Sequence, residues 1–403
     1  MRILIYSHGF APIIGGAEKY AMLLASGLAT RPAASLGRAC VVTVVTPTFA
    51  GDFNDSQLPF KVVRQPRFLG LARLVYESDI VHLSGACLLP LMLGWILRKP
   101  VVIEHHGYTA SCPNGLLFYE PDQSVCPGHF LAAQYGNCVR CVAFKEGQLR
   151  SFYSLLWTFL RRWLCQNASV NIPITHHVLV RLRLPRSKVI YYGVPNPTDV
   201  SGSTSGVSLS KSSFSFAYVG RLVPLKGLPV LVQAARRLRD QGYSFRLKFI
   251  GDGPQRSELQ SMVRGLQLET AVEFVGFASG DHLRDELKDV SALIMPSIWE
   301  ETAGLAAIEQ MMRGKLVIAS DIGGLGEVVG DAGLKCIAGD ATSLADCMKR
   351  VLDQPDIVEV MGEAARVRAL SIFKQDGMVD AYLKLYQDLL RSGRVLEVLA
   401  DAL

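Results

Sequence analysis

Short apolar runs bounded by turn residues alternate with stretches of helical periodicity along most of the chain. That alternation builds layered α/β domains with parallel sheets. Ile3 to Tyr6, Val41 to Thr46, Ile80 to Leu83 and Val101 to His105 predict the strands of a first sheet. Phe214 to Val219, Arg246 to Ile250, Ala271 to Val275, Ala292 to Met295 and Leu316 to Ala319 predict those of a second. Between the two sets lies SGSTSGVSLSKSS, Ser201 to Ser213, which has too few apolar side chains to fold independently and reads as a linker. The expected organisation is a domain over 1–200, a linker over 201–213 and a second domain over 214–377. The expected fold class is α/β, with two facing Rossmann-like doubly wound domains and a cleft where ligands bind outside the carboxyl ends of the strands. No repeat occurs at a period of about 20 to 50 residues, which argues against a solenoid.

Two apolar segments stand outside this rhythm. ACLLPLMLGWIL, Ala86 to Leu97, is the longest apolar run, but it falls short of the roughly 20 residues of a membrane span and predicts a core helix ended by Arg98, Lys99 and Pro100. SFYSLLWTFLRRWL, Ser151 to Leu164, sets Phe152, Leu155, Leu156, Phe159, Leu160, Trp163 and Leu164 on one helical face, with Arg150, Arg161 and Arg162 nearby. That pattern suits a core helix, which we expect, or an interfacial helix on anionic lipid. At the N-terminus, MRILIYSHGF has an apolar run too short for a secretory signal. It reads as a first buried strand, so the expected location is cytoplasmic, with peripheral attachment to the inner membrane face as the alternative.

Composition narrows the partners. With 49% hydrophobic residues among 403, the chain can bury well-developed cores. A net charge of +6 favours anionic ligands or an anionic membrane surface. Nucleic acid is not expected, because no basic stretch is interleaved with aromatic residues.

The chemistry-bearing motifs cluster in the second half. PSIWEETAGLAAIEQMMRG places Glu301 and Glu309 across a loop-to-helix junction, with Gly304 and Leu305 opening the helix. Backbone N–H groups at such an opening, together with the helix dipole, attract an anion. In GRLVPLKG, Arg221 and Lys226 project from the loop that follows a strand, a planar fork and a mobile point charge for phosphate oxygens. FIGDGPQRSEL puts Gly251 and Gly253 in a tight turn before a helix beginning near Pro254, and IIGGAEKY puts Gly15 and Gly16 just before another. Alone, either glycine turn is as well explained by structure as by a ligand.

Together these pieces resemble the retaining glycosyltransferases of family 4, the group 1 glycosyl transferases with the GT-B fold. The similarity runs in order through GGAEKYAMLLASGLA, EHHGYTASCPNG, VIYYGVPNP, YVGRLVPLKGLPVLVQAARRL, FIGDGPQRSEL, VEFVGF, PSIWEETAGLAAIEQM and ASDIGGLGEVV. The resemblance implies that Arg221 and Lys226 bind the donor pyrophosphate and stabilise the departing nucleoside diphosphate. It implies that Glu301 holds the sugar hydroxyls, that Gly304 and Leu305 offer N–H groups, and that Glu309 takes the ribose. Gly251 and Gly253 belong to its nucleotide-binding set, Gly16 approaches the diphosphate from the first domain, and His106 sits beside the transferred sugar. The segment Met378 to Leu390, within 378–403, is expected to return to the first domain as a helix.

The chain departs from that pattern at Gly107, where Asp is usual after the histidine, at Thr302-Ala303, where Pro-Phe is common, and at the smaller Ala306-Ala307. The first bears on the acceptor-side role of His106, the others on the choice of sugar. No DxD metal motif is present, so the expected transfer from a nucleoside diphosphate sugar to a glycan or lipid-linked acceptor requires no cofactor and no metal, Arg221 and Lys226 standing in for a divalent ion. An epimerase-like enzyme and a silent nucleotide-sugar-binding subunit are the rival readings. Of nine cysteines, Cys112, Cys126, Cys138 and Cys141 share one segment with His129. Free thiols are expected there, a structural zinc being the alternative.

Overall fold

The structure, a computed structural model, describes residues 1–13, 15–32, 40–197 and 214–400, of which 392–400 are described by their backbone alone. The expected linker, 201–213, lies outside the described residues. The chain divides into two compact units, Met1–Val194 with Phe373–Leu403, and Pro195–Ile372.

The first unit runs β1 (Arg2–Ser7), α1 (Gly16–Thr30), β2 (Val41–Thr46), β3 (Lys61–Arg64), α2 (Phe68–Glu77), β4 (Ile80–Ser84), α3 (Leu88–Ile96) and β5 (Val101–His105). A small antiparallel pair, β6 (Phe118–Tyr119) and β7 (Ser124–Val125), precedes α4 (Tyr135–Glu146), α5 (Gln148–Asn167), β8 (Val170–Pro173) and α6 (His176–Leu182). Its main sheet is parallel, in the order β3-β2-β1-β4-β5-β8. Both faces of such a sheet are covered, so the central strands are mostly apolar rather than alternating. Every residue of β4 and β5 is buried, which is why both were readable in the sequence. The expectation omitted β3 and β8: KVVR is a half-exposed edge strand, and VNIP hides a buried Asn171 among its apolar positions.

The second unit repeats the plan. Its order is β9 (Ser215–Val219), α7 (Leu228–Asp240), β10 (Arg246–Ile250), α8 (Arg256–Gly265), β11 (Val272–Gly276), α9 (Gly280–Leu287), β12 (Ala292–Met295), α10 (Leu305–Met312), β13 (Leu316–Ser320), α11 (Gly323–Val329), β14 (Leu334–Cys336), α12 (Ala341–Asp353) and α13 (Ile357–Ile372). The sheet order, β11-β10-β9-β12-β13-β14, reverses direction next to β9, where an open α/β sheet offers its binding crevice. The edge strand β14 had no counterpart among the expected strands.

The last helix, α14 (Gln375–Ala400), belongs to the first unit. It enters through paired backbone bonds, Val194 N–H to Phe373 O at 2.8 Å and Gln375 N–H to Val194 O at 3.0 Å. Glycine is required at its two close approaches: a Cβ at Gly193 would lie 2.7 Å from the Gln375 Cα, and one at Gly27 of α1 would lie 2.4 Å from Val379 Cγ2.

Two expectations are corrected here. The helix over Ser151 to Leu164 is not a core helix: within α5, Phe152, Leu156, Phe159 and Trp163 are exposed, and Leu164 alone of the seven expected face residues is fully buried. Its arginines do not all face outward either, because Arg161 Nε donates to Ala86 O and Arg162 Nη1 to Leu182 O, both at 3.0 Å. The expected core helix over Ala86 to Leu97 is only half buried, with Leu89, Met92, Trp95 and Ile96 exposed.

A buried polar network ties α14 to the first sheet. Glu104, at the end of β5, is wholly buried; Tyr382 donates its hydroxyl to Glu104 Oε1, and His82 Nε2 lies 3.2 Å from Oε2. Burial by itself pushes the Glu104 carboxyl up, but His82 beside it and hydrogen bonds from His106 and His82 outweigh that and hold it well below the usual carboxylate range. A native pKa depressed below the unfolded value gives stability that is present above about pH 4 and lost as the pH falls below it. Glu104→Ala, which strands His82 and Tyr382, is expected to cost about 3 kcal/mol or more by urea unfolding at neutral pH. The same variant is expected to lose stability less steeply than the parent between about pH 5 and pH 3.

Candidate functional site

In the second unit two loops at the carboxyl ends of β9 and β12 bring the predicted residues together. The β9 loop leaves the strand at Gly220, and the buried Tyr218 hydroxyl donates to Arg221 O at 2.8 Å. Burial, with Glu301 adding to it, pushes the Tyr218 hydroxyl well above its usual range, so it keeps the proton it donates. Lys226 closes the same loop, and Gly227 follows at φ 64°. Only glycine fits there, because a Cβ would lie 2.1 Å from Pro296 O. That contact presses the first loop against the second, and Ile298 N–H seals it by donating to Leu225 O at 3.1 Å.

Glu301 is buried in the second loop, 4% exposed, where Ser297 Oγ donates to Oε1 and Lys226 Nζ lies 2.9 Å from the same oxygen. The Lys226 ammonium also stands 5.8 Å from the centroid of the Trp299 ring. A carboxylate this deep is tolerable only with such compensation. Arg221, by contrast, is exposed and has no carboxylate partner among the described residues. Gly304, at φ 88°, caps α10, whose first N–H groups, at Leu305 and Ala306, have no intrahelical acceptor. Glu309 stands half-buried one turn further along α10. The departing positions Thr302 and Ala303 are both buried.

Gly251 and Gly253 lie where β10 meets α8. A Cβ at Gly251 would fall 1.9 Å from Gly220 O, and one at Gly253 would fall 2.4 Å from Leu222 O. The close approach of the neighbouring backbone therefore accounts for glycine at both positions. The helix expected near Pro254 begins at Arg256.

His106 and Gly16 belong to the first unit. His106 Nε2 lies 2.9 Å from Ser84 Oγ and 3.1 Å from Glu104 Oε2, and Nδ1 lies 2.7 Å from the Tyr192 hydroxyl. Because an ionised carboxylate only accepts, Nε2 is assigned the proton, and Nδ1 accepts from Tyr192. Burial, with Glu104 and Glu18 adding to it, keeps the Tyr192 hydroxyl protonated. Tyr20, in the second turn of the α1 that Gly16 opens, packs edge-on against the His106 ring at 5.3 Å. Among the described residues, a Cβ at Gly16 would meet nothing within 4 Å. The neighbouring His105 is held neutral, its pKa lowered to about 4 by burial, and its Nε2–H donates to Asn171 Oδ1 at 2.9 Å.

The cysteines form a separate, interior group. Cys112, Cys126, Cys138 and Cys141 are buried and unpaired, and Asn114 reaches among them, accepting from Cys112 Sγ at 2.9 Å and donating to Cys141 Sγ at 3.3 Å. Burial, then the neighbouring cysteines, push the Cys138 thiol up to about 12. Among the described residues no three His, Cys, Asp or Glu side chains are grouped so as to hold a metal ion.

Sequence reasoning missed Ser297, Trp299 and Tyr218 in the second unit and Ser84, Glu104 and Tyr192 in the first. Ser297 and Trp299 lie inside the PSIWEE motif, where Ser four residues before a buried Glu is a usable signal. Tyr192 is 86 residues from His106, and no local pattern announces that pairing.

Comparison with known proteins bears on the family and the fold. Residues 207–368 match the family model described as glycosyl transferases group 1. The 2-deoxystreptamine glucosyltransferase of Streptomyces kanamyceticus is 37% identical over 140 residues, which are 34% of this chain and 36% of that protein. Glycogen synthase of Mycobacterium tuberculosis is 34% identical over 171 residues, 42% of this chain and 41% of that protein. The chain thus spans less than half the length of these curated relatives. Solved structures extend the likeness in fold: HepE of Anabaena in complex with UDP has a TM-score of 0.69 at 20% identity, over 96% of this chain and 100% of that one. Sucrose-phosphate synthase of Thermosynechococcus elongatus has a TM-score of 0.69 at 22% identity, over 97% and 99%. Residues 207–368 therefore resemble the group 1 glycosyl transferases, in a chain whose two α/β units share the GT-B fold of solved glycosyltransferase structures.

Proposed function

We propose that the protein is a retaining glycosyltransferase that moves a hexose-type unit from a nucleoside diphosphate sugar to a glycan or lipid-linked acceptor without a metal ion. The observation that carries this reading is the Lys226–Glu301 pair, a cation and a carboxylate 2.9 Å apart beside the exposed Arg221 and the open end of α10. In the reaction the anomeric C–O bond breaks, its electron pair leaves with the nucleoside diphosphate, and the acceptor oxygen bonds to the anomeric carbon. Negative charge grows on the leaving phosphate, and Arg221, Lys226 and the α10 N–H groups meet it where it grows. The acceptor proton passes to that phosphate on the same face.

Glu301, ion-paired with Lys226 and hydrogen-bonded by Ser297, suits a group that accepts hydrogen bonds from sugar hydroxyls better than a nucleophile. Glu309 is assigned to the ribose, Gly304 and Leu305 to the diphosphate or sugar. Gly16, at the start of α1, is assigned to a backbone approach by the diphosphate. His106, with both ring nitrogens engaged inside its unit, is assigned to hold the sugar in place rather than to move a proton. The related nucleotide-bound HepE structure and the named glycosyltransferase relatives support a nucleotide-sugar donor. The location we propose is the cytoplasm.

Thermal-shift measurement against UDP, GDP, ADP and dTDP sugars is expected to show one class raising the melting temperature; no response from any of them would sink the donor reading. With that donor, Arg221→Ala is expected to leave the fold intact and lower kcat/KM roughly a hundredfold, and Lys226→Ala by at least as much. Turnover is expected to survive EDTA, and loss of activity rescued by magnesium or manganese would refute metal independence.

A further inference from the structure

Helix α5 has its polarity reversed. The side turned to the protein carries the fully buried Ser151 and Thr158, and Ser154 Oγ donates to Pro113 O at 2.7 Å. Leu149, Phe152, Leu156 and Trp157 face solvent instead, between 46% and 72% exposed. A helix normally turns such residues inward, and an exposed apolar surface that outgrows single scattered residues marks an interaction site.

The surface does not stop at α5. Trp163 meets Trp95 of α3 edge-on at 5.2 Å, and Ile96 is 59% exposed beside it. Helix α2 adjoins α3 and adds the exposed Phe68 and Leu69. Cations accompany it: Arg67, Arg98 and Arg150 are exposed, and Lys99 Nζ stands 5.2 Å over the Tyr76 ring. Of the nearby acids, Glu77 is already paired with Arg73, and Glu146 lies across Gly147 in α4. Between α3 and the end of α5, a cavity of about 270 Å³ is lined by Trp95, Arg98, Lys99 and Asn167, donors suited to a phosphate oxygen.

We infer that this face of the first unit docks on an anionic lipid bilayer, α5 lying in the plane of the surface with its aromatic and aliphatic side chains in the acyl boundary. A bilayer meets both requirements at adjoining depths: an apolar medium for Phe152, Leu156 and Trp157, and negative headgroups for Arg67, Arg98 and Arg150. Tryptophan suits the boundary between the two. The attachment is to the surface, because among the described residues no helix is long and apolar enough to cross a membrane. The inference stands apart from the donor chemistry of the second unit.

Flotation of the full chain tests it, with vesicles of phosphatidylcholine alone and of equimolar phosphatidylcholine and phosphatidylglycerol. Co-flotation is expected with the anionic vesicles and much less with the neutral ones. The double variant Leu156→Glu, Trp157→Glu, altered only at exposed positions and checked for an unchanged melting temperature, is expected to bind at least about tenfold more weakly. Arg98→Glu is expected to lose most of the preference for phosphatidylglycerol. No flotation, or equal flotation of the double variant, would overturn the inference. So would sedimentation showing a parent dimer that the double variant turns into a monomer, since a second copy would then cover the face. Donor-induced thermal shifts are expected to be unchanged in these variants. A protein that floats yet binds no nucleoside diphosphate sugar would refute the proposed function and leave the docking surface standing.

Discussion

A carboxylate taken out of water needs a compensating cation and donors, and the candidate site of the second unit is organised around that requirement at Glu301. Lys226 supplies the cation and Ser297 a donor, and each comes from a fixed place: Lys226 from the end of the β9 loop, Ser297 from just after β12. Bringing them together demands that the two loops touch. Glycine at 227 allows it, and Gly323 does the same on the other side, where a Cβ would lie 2.7 Å from Glu301 O. Gly324 N–H then donates to that carbonyl at 2.6 Å. The consequence is a cation already oriented before any ligand arrives, which is what electrostatic stabilisation of a departing anion requires.

The first unit meets the same problem with a different solution. Glu104 is compensated by two histidines and a tyrosine drawn from separate strands and from α14. One of those histidines, His106, is fixed from three directions by Ser84, Glu104 and Tyr192. The C-terminal helix is therefore part of the electrostatics at the end of β5 and not only a cover for α1. Tyr382 on Glu104 and Tyr386 on His82 Nδ1 couple α14 to the buried polar groups of β5 and β4.

Burial separated what was readable from what was not. Strands β4, β5, β12 and β13 are buried throughout, and each opens on a run of apolar residues that was legible even where His82, Glu104 and His105 follow. Edge strands β3 and β14 mix charge with apolar residues because one side meets water, and they left no signal to read. In α5 the apolar periodicity was real, but period says only that one face differs from the other. Which face turns inward followed Ser154, whose hydroxyl reaches Pro113 O, and Arg161 and Arg162, which reach the carbonyls of Ala86 and Leu182. The helix consequently points its aromatic residues outward.

The sequence by itself determined the two parallel α/β units, through the alternation of apolar runs and helical periods, and it determined the residue types of the candidate site, since Arg221, Lys226, Glu301, Gly304 and Glu309 sit in contiguous motifs. Local spacing is enough for that, because a strand end, its loop and the next helix opening are consecutive in the chain. Tertiary structure alone decided the partners. The pairing of Lys226 with Glu301, the bond between Tyr192 and His106, the approach of Gly220 and Leu222 that accounts for Gly251 and Gly253, and the outward face of α5 all join residues far apart in sequence. Their distances follow from how strands are ordered in a sheet, which no local pattern of side chains encodes.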